Sequence, residues 1–361
     1  MEDYQIQDED LPQKNGSKPI KIILNIVLLG WLIFSLAPRV LVSRAKAHYE
    51  KGEYNTAIAY LNILTWINPR NSKVYYIRGL AYGKLNNYDF ALTDFSKAID
   101  IDPGYASTYV GKCYIYNKQN NFDAAITGCT KAIELGTSEI EAYSNRGLAY
   151  FYQEKYDLAV SDFTKAVEAN PSDVLSYQYR GMSYSGLGKY EQAIADLTRV
   201  IEIDPANILA YNLRGDAYRL DGKYERAVSD FSKSIELDPS GTKVYFYRGI
   251  SYAVLGKNDL ALVDLKKAVE SNPDKAEVYV WLGNVYANLQ QFPQAVTAYK
   301  QSITIFKDAY AYCVLGVTYT KMGDFLSAIT SFDEGLKLNS KDEMIWCKTA
   351  LENAKQGVPT P

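Results

Sequence analysis

Residues 174–207 read VLSYQYRGMSYSGLGKYEQAIADLTRVIEIDPAN. Tyr177, Gly181 and Tyr184 are spaced by four and three residues, and Ala193, Leu197 and Val200 repeat that spacing. Each set falls on one face of a helix. The polar turn Leu187-Gly188-Lys189 separates the two sets, so the stretch predicts a helical hairpin. Pro205 closes it, because proline cannot donate the hydrogen bond that would continue the second helix.

The same pattern extends in both directions. Proline recurs at 69, 103, 171, 205, 239 and 273, with every gap 34 or 68 residues, and Thr137 stands at the skipped position. This period divides the chain into nine units beginning near residues 38, 72, 106, 140, 174, 208, 242, 276 and 309. The eighth is one residue short. Counting so that proline is position 32, tyrosine holds position 4 in units 2 to 9 (Tyr75 to Tyr312) and position 11 in the same units (Tyr82 to Tyr319). Glycine holds position 8 in seven units, from Gly79 to Gly316, and alanine holds position 20 in all nine, from Ala57 to Ala328. Glycine inside a helix costs about 1 kcal/mol relative to alanine. Its recurrence implies close helix approach, with a bulky position-24 residue (Phe95, Phe163, Phe231) covering it.

A charge pattern runs in the same frame. Arg78, Arg146, Arg180, Arg214 and Arg248 occupy position 7, and Asp94, Asp162, Asp196, Asp230 and Asp264 occupy position 23 of the same units. Units 3, 8 and 9 lack both partners. Antiparallel helices bring positions 7 and 23 together, so five ion pairs within repeats are expected. The competing explanation is shared ancestry of the units without energetic coupling.

The layout of 34 residues with Gly, Tyr, Ala, Phe, Ala and Pro at these places resembles the tetratricopeptide repeat. The resemblance covers about residues 38–340. It implies an all-α, right-handed superhelical solenoid of about nine hairpins, whose first helices line a concave groove at positions 2, 5, 6, 9, 12 and 13. Those positions place Tyr76, Ile77, Leu80, Tyr114, Leu148, Phe151, Tyr152, Tyr179, Met182, Phe246, Tyr247, Ile250 and Trp281 on the implied partner-binding groove. So aromatic a lining suits an apolar peptide or an amphipathic helix; packing between adjacent first helices is the alternative use of the same residues. Some members of the family clamp a carboxylate with Lys and Asn at set positions. No consecutive triplet here supplies that set, and Asn145 or Asn212 alone does not.

Residues 341–361 read as a solvating cap helix and tail, with Asp342, Glu343, Lys348, Glu352 and Lys355 on the polar side. Ahead of the repeats, residues 1–21 form a polar tail and residues 22–38 carry no charge. Seventeen helical residues span roughly 25 Å, slightly short of a ~30 Å hydrocarbon core. A cleaved signal peptide would need a better cleavage context than Ala37-Pro38, and a buried soluble helix would leave Ile, Leu and Trp on all faces. An uncleaved single-pass transmembrane anchor is therefore expected. Three lysines precede it (Lys14, Lys18, Lys21) and four basic residues follow (Arg39, Arg44, Lys46, Lys51), a near balance that leans only weakly to a cytoplasmic repeat domain.

Other chemistry finds little footing. Lys+Arg 39 against Asp+Glu 42 leaves a net charge of −3 and no basic stripe, so no nucleic-acid partner is expected. There is one histidine, His48, at a position where other units carry tyrosine, and no CxxC, so no metal site is expected. No nucleophile elbow, phosphate loop or dinucleotide fingerprint appears, and the chain reads as a non-enzyme without cofactors. The four cysteines are scattered. Cys113 and Cys129 hold positions 8 and 24 of unit 3, where a Gly–Phe pair has become Cys–Cys at similar total volume; packing is the expectation, and a disulfide in an oxidising compartment is the alternative. Cys313 and Cys347 are 34 apart, again the repeat period. The functional expectation is a membrane-anchored protein–protein scaffold in assembly or quality control of a membrane complex. The alternatives are a receptor passing clients to a translocation machine and an accessory subunit of an envelope-synthesising enzyme.

Overall fold

The fifteenth residue of each repeat has a left-handed backbone. Gly52, Gly188, Gly222, Gly256 and Gly323 supply this conformation in five repeats, and Asn86, Asn120, Glu154 and Gln290 adopt it in the other four, with φ from 57° to 79° throughout. A side chain there costs roughly 1–2 kcal/mol.

A computed structural model describes residues 38–136, 140–339 and 344–358. They fall into two compact units divided between Gln153 and Glu154. The first holds α1 (38–50), α2 (Tyr54–Ile67), α3 (Ser72–Lys84), α4 (Tyr88–Ile101), α5 (Ala106–Lys118), α6 (Phe122–Glu134) and α7 (Ile140–Tyr152). The second holds α8 (Tyr156–Ala169), α9 (Val174–Gly186), α10 (Tyr190–Ile203), α11 (Ile208–Leu220), α12 (Tyr224–Leu237), α13 (Thr242–Val254), α14 (Asn258–Ser271), α15 (Ala276–Asn288), α16 (Phe292–Ile305), α17 (Ala309–Met322), α18 (Phe325–Leu338) and α19 (Ile345–Lys355). Helices pair as hairpins and stack in chain order within each unit: an all-α solenoid. No helix among the described residues is long and apolar enough to cross a membrane. The expected tail and, apart from residue 38, the expected anchor lie outside the described residues. So do Asp342 and Glu343, while α19 caps the last repeat through Cys347, Ala350, Leu351 and Ala354.

Two small-residue positions let the helices approach. The position-20 alanines are fully buried in all nine repeats. At position 8, a Cβ added to Gly215 would lie 2.8 Å from Phe231 Cε1, and one added to Gly283 would lie 2.5 Å from Tyr299 Cε1. The absent side chain is the seat of the position-24 ring. Between repeats, Asp102, Asp204 and Asp238 accept from the backbone N–H two residues on, at 3.1, 3.2 and 2.9 Å. These turns carry the chain past the proline. Asp173 and Asn207 then cap α9 and α11 by accepting from Ser176 and Ala210 N–H.

The cysteines correct the packing expectation. Cys113 is disulfide-bonded to Cys129 and Cys313 to Cys347, with Cα separations of 5.5 and 5.7 Å. Positions 8 and 24 face each other at the approach that elsewhere seats a ring over glycine, and that approach suits a disulfide equally well. The first bond closes the α5/α6 hairpin, and the second ties α17 to the cap helix.

Candidate functional site

The charge pattern becomes a set of buried staples. Arg180 donates from Nε and Nη2 to Asp196 at 2.8 and 2.7 Å. Arg214 does the same to Asp230, Arg248 to Asp264 and Arg78 to Asp94, all at 2.7–2.8 Å. The aspartate side chains are only 4–8% exposed. Arg146 lies in the first unit and Asp162 in the second. The remaining guanidinium nitrogen, Nη1, reaches back to the preceding repeat: to Thr130 from Arg146, Thr164 from Arg180, Thr198 from Arg214 and Ser232 from Arg248, at 3.0–3.1 Å. Arg78 reaches Asn62 and Thr65 in the same way. Arg78, Arg180, Arg214 and Arg248 thus each join their own hairpin to its predecessor. Position-4 tyrosines lie under several of these cations, with Arg78 and Arg180 Cζ each 5.4 Å from the rings of Tyr75 and Tyr177.

The hydrogen bonds that Asp94, Asp230 and Asp264 accept raise the already high pKa of Arg78, Arg214 and Arg248. Burial is the largest influence on Arg180 and pulls it down, but the bond and charge of Asp196 leave it raised. A raised value means that the contribution is complete below the ordinary arginine pKa. It is lost only as pH rises through the folded value, so the staples hold across the whole neutral range.

In the first unit, Tyr76, Leu80 and Tyr114 line a cavity of about 430 Å³. Val110, Phe95 and Ile115 form its apolar walls with Gly83 and Gly111, and Tyr49, Lys84, Glu141 and Asn145 complete it. The glycines admit their neighbours closely: a Cβ on Gly83 would meet Ile115 Cδ1 at 2.9 Å, and one on Gly111 would meet Phe95 Cζ at 2.8 Å. Leu148, Phe151 and Tyr152 do not line this cavity. Tyr152 stacks on Phe122 at 5.3 Å and meets Phe151 edge-on at 5.5 Å, yet stays half exposed.

The second unit uses its aromatic residues differently. Tyr179 stacks on Phe163 at 5.9 Å and Tyr247 on Phe231 at 6.2 Å, so position 6 of one repeat rests on position 24 of the repeat before. Phe246 packs on Tyr247 at 5.4 Å, and Arg219 Cζ lies 5.1 Å from the Tyr247 ring. Burial, with the nearby charge of Asp216, raises the Tyr247 hydroxyl pKa. Met182 is half-buried beside these rings in sequence. Ile250 is 5% exposed, a core residue, whereas the other residues expected to line the groove stay at least partly exposed. Trp281 lines a second cavity, of about 320 Å³.

Residues outside the expected aromatic and aliphatic lining also shape these cavities. Tyr49, Lys84, Val110, Glu141 and Asn145 all stand at concave positions, but selecting only large apolar side chains passes most of them over. His48 hydrogen-bonds Glu53 and stacks on Tyr60 at 5.5 Å. Among the described residues no group of three His, Cys, Asp or Glu side chains could hold a metal.

Family models for the tetratricopeptide repeat match residues 72–105, 140–173 and 208–240, then 163–195, then 276–308 and 309–342. A further TPR repeat model matches 181–219 and 251–290. Among solved structures, the C-terminal part of a TPR repeat-containing protein from Cytophaga hutchinsonii is 19% identical; the match covers 67% of this chain and 99% of that one, with a TM-score of 0.54. PilW, a type IV pilus biogenesis factor, is 16% identical over 58% of this chain and 96% of its own, with a TM-score of 0.53. At these identities the likeness is one of fold. No curated protein matches the chain at a significant level. The nine-fold register, the glycine-seated rings and the matched repeats together mean that the chain belongs to the tetratricopeptide repeat family.

Proposed function

We propose that this chain is a non-catalytic scaffold that holds a partner polypeptide on the concave positions of its repeats, tethered beside a membrane by residues 22–38. The observation that carries this reading is the cavity built by Tyr76, Leu80 and Tyr114. It is concave, mainly apolar and edged by a few polar groups, and it stands where first helices present their side chains. An apolar side chain of an extended or helical partner fits it. The partner belongs to a membrane complex whose assembly or quality control the scaffold serves.

The two disulfides support placing the repeats in an oxidising compartment, since such bonds are rare in reducing cytosol. That is the reverse of the weak lean drawn from flanking charge. Photo-crosslinking in native membranes tests the reading, with the photoreactive residue at Tyr114 or Met182 and a control at the exposed Val263. One stoichiometric membrane subunit captured from Tyr114 is the expected result. A spread of unfolded clients would favour the receptor alternative, and equal capture from Val263 would remove the groove.

A further inference from the structure

The cavity of about 320 Å³ in the second unit has a different chemistry. Ala276, Glu277, Val280, Trp281 and Asn284 of α15 form one side, Ser302 and Phe306 at the end of α16 another, and Asp308 and Tyr310 at the start of α17 close it. Trp281, Phe306 and Tyr310 supply three aromatic rings. Glu277 and Asp308 supply two carboxylates, and no basic side chain lines the space. Neither carboxylate is in an ion pair among the described residues. Asp308 uses Oδ2 to accept from Ala311 N–H at 2.9 Å, which leaves Oδ1 available. Glu277 is exposed at the first turn of α15.

A third observation is independent of rings and charge. Ser302 is fully buried, and its Oγ has no hydrogen-bond partner, although the residue forms part of the cavity wall. A buried hydroxyl left unsatisfied is costly. At the equivalent position four other repeats carry alanine (Ala98, Ala132, Ala166 and Ala268), so packing does not require a hydroxyl, and the sixth repeat carries Ser234, likewise buried with an unpartnered Oγ.

From these features we infer that the cavity receives the cationic end of a lysine or arginine side chain from the partner polypeptide. Aromatic faces attract a cation, two carboxylates neutralise it, and the Ser302 hydroxyl accepts one of its N–H groups. The volume is at the small end for a ligand site and matches one long side chain better than a larger molecule. The inference deepens the scaffold reading and rests on it for the identity of the ligand as a polypeptide. It separates the two cavities by chemistry: an apolar side chain in the first unit, a basic one in the second.

The test is saturation-transfer NMR on the full chain in lipid nanodiscs, with Nα-acetyl-lysine methylamide and Nα-acetyl-arginine methylamide as probes. The uncharged control is Nα-acetyl-norleucine methylamide. Transfer to at least one cationic probe, weakening with salt, is the expected result. Glu277→Gln should weaken binding about tenfold, as expected from loss of one carboxylate beside the rings. Ser302→Ala, which installs the residue native to other repeats, should weaken it about threefold while the fold is kept. Equal binding of the norleucine probe would overturn the cationic assignment and leave the scaffold reading standing. Binding of neither cationic probe, or binding indifferent to Glu277→Gln and Ser302→Ala, would overturn it as well. Loss of photo-crosslinking at Tyr114 with lysine binding intact would instead count against the scaffold.

Discussion

The hairpins α9/α10, α11/α12 and α13/α14 differ from α5/α6 and α17/α18 in what locks them. The first three each carry a buried Arg–Asp staple, and none contains cysteine. The other two lack the pair, having Lys112 with Gly128 and Leu315 with Ser331, and each contributes to a disulfide. The backbone frame is the same in both classes. One lock is ionic, reversible and reaches into the preceding repeat; the other is covalent and depends on redox state. The fold therefore does not dictate the chemistry of the lock, and α15/α16, with Leu282 and Ala298 at the two positions and no cysteine, carries neither. In α5/α6 the reach to the preceding repeat survives even without the aspartate, since Lys112 donates to Ser96 Oγ at 3.3 Å.

The largest effect should come from leaving a buried charge alone. Asp196→Ala strands Arg180 between α9 and α10 and should cost about 3–5 kcal/mol. Hydrogen exchange should localise the loss to α8–α10 and spare α17–α19. A double-mutant cycle with Arg180→Met measures the coupling, and a value near zero would reduce the staples to inherited decoration. Reduction comes next. Losing Cys313–Cys347, which closes 34 residues, should cost about 4 kcal/mol, and losing Cys113–Cys129, which closes 16, about 3 kcal/mol. Thermal melts with and without reductant should show these losses, while protection in α9–α14 stays unchanged. A smaller contrast lies beneath both locks, at position 8. Gly215→Ala drives a methyl against the Phe231 ring and should destabilise by about 1–2 kcal/mol after the helix-propensity gain. Gly181→Ala meets Leu197 Cγ at 3.1 Å and should be close to neutral in urea unfolding. Equal losses at the two sites would mean that the ring is not what the glycine accommodates.

Much of this architecture is legible in one chain because the repeats serve as each other's comparison. Gly79 with Phe95, or Arg214 with Asp230, recur at fixed offsets, and a fixed offset in a hairpin is a spatial relation. The reach of Nη1 to Thr164, Thr198 and Ser232 also had a signal, since position 25 is a hydroxyl residue in those repeats, but it needs the stagger between hairpins to be recognised. The groove was less legible. Whether Tyr179 faces a partner or lies on Phe163, and whether Ile250 turns outward or into the core, depends on how each helix is rotated against its neighbours. Selection by hydrophobicity also hid Glu141 and Glu277, which polarise the cavities. The cysteines were ambiguous because a spacing set by the repeat carries no information about bond formation.

The Cys313–Cys347 bond also has a mechanical meaning. Repeat arrays usually peel from an end, where a terminal unit has only one neighbour. Here a pull applied at the C-terminus would meet a closed loop holding α18 and most of α17 out of the force path. At ~3.4 Å per residue, that loop withholds about 120 Å of chain, and the Cys113–Cys129 loop withholds about 55 Å. An oxidised molecule under tension therefore keeps its C-terminal end short.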